Sequence, residues 1–316
     1  MKLFKEKLSR PAVLIPLSVL FLFIMISFST QRLFKRESTY LLPSRFVGVY
    51  SPINVVKPYT GVNTSIGFFD LSDPKTPQRI SDFLEDSKAQ RVIPIISLEP
   101  FRFQHRTSTN ESLLEQYQSA EAILILQQIH EIFTGRTSPV IVRLAHEMDV
   151  PDQYPWYFAN PYHYHLFYRH IYRLLNGYSA YPLLWLWSPQ GRPYSAKYWP
   201  GEAFVDLIGI SVFSSASWSP EDELQSFSSI VSSKSWLSRY FKRPLFAAEI
   251  GVSATPNIQS QWISDATKWI LDNPDLLIGI IYYQSKQPDF MVEKTGFFDW
   301  RITDYSLNKA LNLLTP

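Results

Sequence analysis

The 316-residue sequence contains no cysteine, which excludes disulfides, thiolate nucleophiles and cysteine-ligated zinc or iron–sulfur centres. Surplus charge is also scarce. The formal net charge is +2 and much of the excess lies in the first 36 residues, so no basic surface is left for nucleic acid. Glycine is sparse, at 11 residues, and no glycine-rich turn of the dinucleotide-binding type follows the first apolar run. That omission argues against a doubly wound open sheet. Aromatic residues, by contrast, make up 16% of the chain, with 9 Trp and 18 Tyr. Such a supply suits stacking of sugar rings on flat apolar faces, and it equally suits an aromatic-rich core.

One long apolar run is present, at the amino terminus. Residues 1–10 form a basic flank carrying Lys2, Lys5, Lys7 and Arg10, and residues 11–29 are uncharged and strongly apolar. A stretch of that length is close to the roughly 20 residues that span a bilayer, and it is expected to act as a transmembrane signal anchor. Arg32, Lys35 and Arg36 follow it, so the positive-inside bias is real but small. Ser27 and Ser29 also fit the small residues of a cleavage site, which leaves secretion after signal removal as the alternative. In both cases the body of the protein is expected outside the cytoplasm, after a linker at 30–42.

From residue 43 onward, short runs rich in β-branched, aromatic and leucine residues alternate with longer segments of helical spacing or loop composition. Eight such runs occur, at 46–50, 65–70, 92–97, 140–145, 183–187, 206–212, 244–249 and 277–283. VIVRLA and LLIGIIYY are apolar on consecutive positions, as strands are when both faces are buried in a parallel sheet. Segments 113–133 and 164–175 carry apolar residues at three- and four-residue spacing and read as amphipathic crossover helices. Strand then helix, repeated eight times, predicts one α/β domain at 43–316 with the (β/α)8 TIM-barrel architecture.

Such barrels gather their chemistry at the carboxyl ends of the strands. Glu147 follows the fourth run and Glu249 ends the seventh, on opposite sides of the expected ring. Two carboxyls at one barrel mouth are the requirement of glycosidic bond cleavage. One, protonated, donates to the leaving oxygen, and the other, ionised, attacks or stabilises the anomeric carbon. Taken singly, either glutamate could be a salt-bridged strand end. His163, His165 and His170 lie on or beside a helix with no carboxylate at a regular metal-ligand offset, so no metal is expected, and no cofactor.

The run VIVRLAHEMDVPDQYPWY resembles the signature of glycoside hydrolase family 26, a clan A group that includes β-mannanases. The resemblance continues through FYRHIYRLLN, LLWLWSPQ, YWPGEAFVDLIGIS, RPLFAAEIG and FFDWRITD, in the family's order. It implies that Glu147 is the acid/base, Glu249 the nucleophile, His146 a brace beside the acid and Arg143 a strand-four arginine under the site, assigned here to Glu249. It also implies that Trp156 and Tyr157 line the sugar groove. The activity implied is retaining cleavage of a β-linked polysaccharide, mannan-like or glucan-like, by an endo-acting enzyme. Tethering suits a job on polymer made or exported by the same cell, so a link to exopolysaccharide production is an expectation, and a catalytically weak or silent polysaccharide-binding barrel that assists export is the alternative.

Further substrate contacts are expected from strand ends. Trp187 is the better sugar platform on the fifth run, with Trp185 left to core packing. Tyr283, with Gln284, closes the site from the eighth run, and Glu99, ending the third, binds a sugar hydroxyl or caps the following loop. Two positions depart from the family pattern. Asp149 stands where an Asn is usual, and Phe213 stands where related enzymes often carry a Tyr whose hydroxyl bonds the nucleophile.

Overall fold

The computed structural model describes residues 42–52, 59–103, 112–176, 181, 183–217, 224–288 and 298–315. The expected basic flank, membrane span and nearly all of the linker fall in residues 1–41, outside the described residues. Among the described residues no helix is long and apolar enough to cross a membrane.

Eight parallel strands close on themselves in sequence order: β1 (Phe46–Tyr50), β2 (Thr64–Asp70), β3 (Ile93–Glu99), β4 (Val140–Leu144), β5 (Leu183–Trp187), β6 (Leu207–Ser215), β7 (Leu245–Ser253) and β8 (Leu277–Tyr283). β1 pairs with both β2 and β8, so no edge is left open. Around the strands run α1 (Thr76–Ala89), α2 (Leu113–Gln116), α3 (Ala120–Gly135), α4 (Pro161–Leu175), α5 (Phe227–Lys234), α6 (Trp236–Phe241), α7 (Pro256–Asp272) and α8 (Asp304–Leu314). This is the (β/α)8 barrel that the alternation of runs predicts.

Consecutive apolar residues are needed because each strand has two buried faces. Alternate positions point inward, where Phe46, Ile66, Ile95, Ile141, Leu186, Phe246 and Ile281 belong to one buried cluster. The intervening positions, among them Val47, Val140, Val142, Leu183 and Ile280, belong to a larger cluster shared with the helices. Where 113–133 reads as one helix, the chain makes two. Ser112 closes a capping box with Glu115 at the start of α2, and Ser119 accepts a hydrogen bond from the Ala122 amide at the start of α3. Each cap satisfies amides that a continuous helix would have used internally.

One irregularity bears directly on the site. Along β6 and β7, Ile210 pairs with Ala247 but Ser211 pairs with Glu249, so β7 carries one extra residue at Ala248. The pairing with β8 slips over the same stretch. Phe246 and Ala248 already point into the barrel, and strict alternation would turn Glu249 toward the helices. The bulge resets the alternation and aims Glu249 at the barrel mouth.

Candidate active site

The fourth strand ends in a strained step. Ala145 and Glu147 both have positive φ, 48° and 50°, a region that side chains other than glycine enter at a cost of order 1–3 kcal/mol each. The step is held from both sides. The Ala145 amide donates to Leu98 O at 3.0 Å, and the Glu147 amide donates to Ser188 O at 2.7 Å. Glu147 therefore stays at the rim rather than continuing the strand. Its Oε2 accepts a hydrogen bond of 2.6 Å from Gln153 Nε2, on the loop that follows.

Across the barrel, Arg143 Nη1 donates to Glu249 Oε1 at 2.5 Å, and both residues are buried. Arg143 Nη2 donates to Ser188 Oγ at 3.0 Å, so Ser188 braces both halves of the site, the arginine through its hydroxyl and Glu147 through its carbonyl. Ser188 has room because Gly209 lies beside it. A Cβ at Gly209 would fall 2.6 Å from Ser188 Oγ. Burial raises the Glu249 carboxyl above its ordinary range, Arg143 opposes that rise by charge and hydrogen bonding, and the Glu147 charge adds to it.

Glu147 and Glu249 open into one cleft of about 620 Å³, which His146, Glu99, Tyr283 and Phe213 also line. That volume suits a ligand of a few sugar rings' scale rather than a solvent pit. His146 is buried against the rings of Phe68, Tyr154 and Trp156, and its burial, with Arg143 beside it, holds the imidazole neutral by lowering its pKa. Glu99 sits at the end of β3 on the cleft wall, and its carboxyl is pushed up to about 8, first by burial and then by the charge of Glu249. Tyr50 and Tyr283 flank Glu249 closely enough that, after burial, its charge helps to raise both phenols.

Three expected groove residues lie elsewhere. Trp187 is fully buried, edge-on to Trp199 and Phe241 in the layer outside the barrel, and Trp185 packs on Tyr168 and Tyr172 in the same layer. Residues two apart on a strand share a face, and the inward positions of β5 belong to Leu184 and Leu186. Trp156 is also fully buried: its Nε1 donates to His146 O at 2.8 Å and its ring stacks on Tyr154 at 4.7 Å. Tyr154 lines the cleft, whereas neither Trp156 nor Tyr157 does. Trp156 is thus the support behind the groove and Tyr154 its face.

Gln284 faces away as well, exchanging hydrogen bonds of 2.7 and 3.0 Å with the Ile302 backbone. Asp149 is used internally, accepting from the Gln190 amide at 2.9 Å and from the Ser195 hydroxyl, which ties the loop after β5 to the loop after β4. Phe213 lines the cleft, but the cross-strand neighbour of Glu249 is Ser211, and Phe213 rests on Gly251 and Trp300 farther out.

Sequence reasoning did not single out Gln153, Tyr154, Gln190, Lys234 or Trp300, although all five line the cleft. Gln153 and Tyr154 lie in the VIVRLAHEMDVPDQYPWY run, Gln190 ends LLWLWSPQ and Trp300 lies in FFDWRITD, whereas Lys234 lies in none of the quoted runs. All five lie on loops or on α5, where no strand-end rule applies. Among the described residues no group of three or more His, Cys, Asp or Glu is arranged to hold a metal.

The closed parallel barrel thus carries Glu147 and Glu249 in one cleft at its mouth, the latter paired to a buried arginine. The family model of glycosyl hydrolase family 26 matches residues 101–239, a span that holds Arg143, His146 and Glu147 but stops short of Glu249. Among solved structures, a double mutant of the Cellulomonas fimi endo-β-1,4-mannanase is similar at 16% identity and TM-score 0.57, over 79% of this chain and 63% of that one. The chain thus spans under two thirds of that protein's length. A family 26 β-mannanase from Bacteroides ovatus is similar at 12% identity and TM-score 0.57, over 84% of each chain. A family 26 protein from a Muricauda species is similar at 16% identity and TM-score 0.55, over 85% of this chain and 90% of that one. At these identities the likeness is one of fold. No curated protein matches the sequence significantly.

Proposed function

We propose that the chain is a retaining, endo-acting glycoside hydrolase of a β-linked polysaccharide, with Glu249 as nucleophile and Glu147 as acid/base. The observation that carries this reading is the meeting of both carboxyls in one cleft, with Arg143 paired to Glu249 alone. An arginine in contact favours the ionised form, which a nucleophile needs, while the side-chain hydrogen bond of Glu147 comes from the uncharged amide of Gln153. In the first step Glu249 attacks the anomeric carbon, and Glu147 gives its proton to the departing sugar oxygen. In the second, Glu147 takes a proton from water, which displaces Glu249 and restores the original configuration. The aromatic wall of Tyr50, Phe68, Tyr283 and Trp300 offers ring faces and edges to sugar C–H surfaces. Glu99 adds a polar group for a sugar hydroxyl on that wall.

The mannanase similarities favour a mannan-like or glucan-like backbone. Residues 11–29 support tethering with the barrel outside the cytoplasm, and tethering suits work on polymer exported by the same cell. The test is release of reducing ends from β-mannans, β-glucans and β-xylans by the full chain and by Glu249→Gln. Release by the wild type alone supports the reading. No release from any polymer, with polymer binding unchanged in Glu249→Ala, would replace it with a polysaccharide-binding barrel.

A further inference from the structure

Lys234, the last residue of α5, turns into the cleft instead of out to solvent. Its stem lies on the backbone of Gly191, where φ is 96° and a Cβ would come within 2.9 Å of the lysine Cγ. Its Nζ donates to Ser211 O at 2.8 Å. An ammonium carries three donors. Among the described residues Lys234 makes that one hydrogen bond and no ion pair, so its remaining donors face the cleft.

The lysine sits on the Glu147 side of the site. Burial lowers its pKa, the charges of Glu147 and Asp149 oppose that, and Arg192 on the neighbouring loop adds a second positive charge. Neither acid needs it. Both oxygens of Asp149 are already engaged, by the Gln190 amide and the Ser195 hydroxyl, and Glu147 is held by Gln153. A cation facing an acid that must hold its proton works against the first chemical step. A substrate anion that engages the cation removes the conflict.

We propose that the leaving-group half of the cleft takes a sugar unit bearing a carboxylate, held by Lys234 with Arg192 at the outer edge, so that the substrate is an acidic β-linked polysaccharide. Two of the cleft's three glutamates do not repel such a chain. Glu249 is paired to Arg143, and Glu99 stays neutral up to about 8. The aromatic residues Tyr50, Phe68 and Tyr283 line the cleft near Glu249 and Glu99, and the only lysine or arginine lining the cleft among the described residues is Lys234.

This inference rests on the hydrolase reading above, and one experiment separates their failures. The full chain is assayed on β-1,4-mannan and β-1,4-glucan and on the same polymers partially oxidised at C6, which differ only in the added carboxylate. The expected result is a kcat/KM at least tenfold higher on the oxidised member, falling with ionic strength, with products whose new non-reducing end is the acidic unit by mass. Lys234→Met, checked for folding by its melting profile, should lose that preference, and Lys234→Arg should retain it. Neutral chains cut as well as oxidised ones, or a preference that survives Lys234→Met, overturns the inference and leaves the hydrolase intact. Cleavage of neither member of either pair overturns both. If Lys234→Met does not fold, the salt dependence and the product ends of the wild type decide alone.

Discussion

Arg143 on β4 and Glu249 on β7 are joined across the barrel mouth by a contact of 2.5 Å between Nη1 and Oε1, and neither is exposed to bulk water. Of the three glutamates that line the cleft, Glu249 alone is ion-paired to an arginine among the described residues. Removing one partner of a buried pair leaves the other uncompensated, at a cost of about 3–5 kcal/mol. Arg143→Met should therefore lower stability by about that much at neutral pH in denaturant titrations. The loss should shrink as the solution is acidified and Glu249 takes up a proton. An equal loss at all pH values would mean that packing of the arginine, and not its charge, is what the fold needs.

The pH dependence of the fold should carry the mark of Glu99. Its folded pKa, about 8, lies above the ordinary 4.5, so the folded chain binds a proton more tightly than the unfolded one. The resulting stability is fully present below the ordinary value and is lost as pH rises through about 8. Glu99→Gln should flatten the fall in melting temperature across that window. Activity has the opposite sign at its acid end: Glu249 must be ionised, its carboxyl is raised by burial, and the rate should fall as pH drops through that raised value.

Gly209→Ala is a test of the brace between the two halves. The new methyl must displace the Ser188 hydroxyl, which holds Arg143. A hydrogen bond to a charged group is worth roughly 1.5–3 kcal/mol, so kcat should fall by roughly one to two powers of ten if the loss acts in the transition state. Ser188→Ala should do the same, and the double variant should be no worse than either alone. Additive losses in kcat would separate the two residues.

How far the site was legible in the sequence depended on the kind of element carrying each residue. The ends of β1, β5 and β8 fall where their apolar runs end, and Glu147, Glu249, Glu99 and Tyr283 were found because strand ends are marked by a change from apolar to polar. β6 and β7 run on to Ser215 and Ser253, beyond the expected ends, because glycine and serine continue a strand without looking like one. The bulge at Ala248 left no trace in the composition. Trp187 was misplaced because large aromatic residues suit either face of a strand, and only its neighbours Leu184 and Leu186 tell which face is inward. Gln153, Tyr154 and Lys234 depend on where a loop and a helix end return to the rim, which no local pattern encodes.

The placement of the tryptophans gives its own prediction. Trp156 and Trp187 are supports outside the cleft, so truncation to Ala should cost about 3–5 kcal/mol of stability. Trp187→Phe should lower the denaturation midpoint and leave KM where it was. A raised KM with an unchanged midpoint would return Trp187 to the sugar groove.

The assignment of Glu249 as the attacking group is tested most directly by trapping it. The full chain is incubated with a 2-deoxy-2-fluoro glycoside carrying a good leaving group and the sugar of its preferred polymer, then digested and weighed peptide by peptide. A single added glycosyl mass on the peptide that holds Glu249, absent in Glu249→Gln, is the expected result. Turnover of the polymer with the label on Glu147 or Glu99 instead would contradict the account.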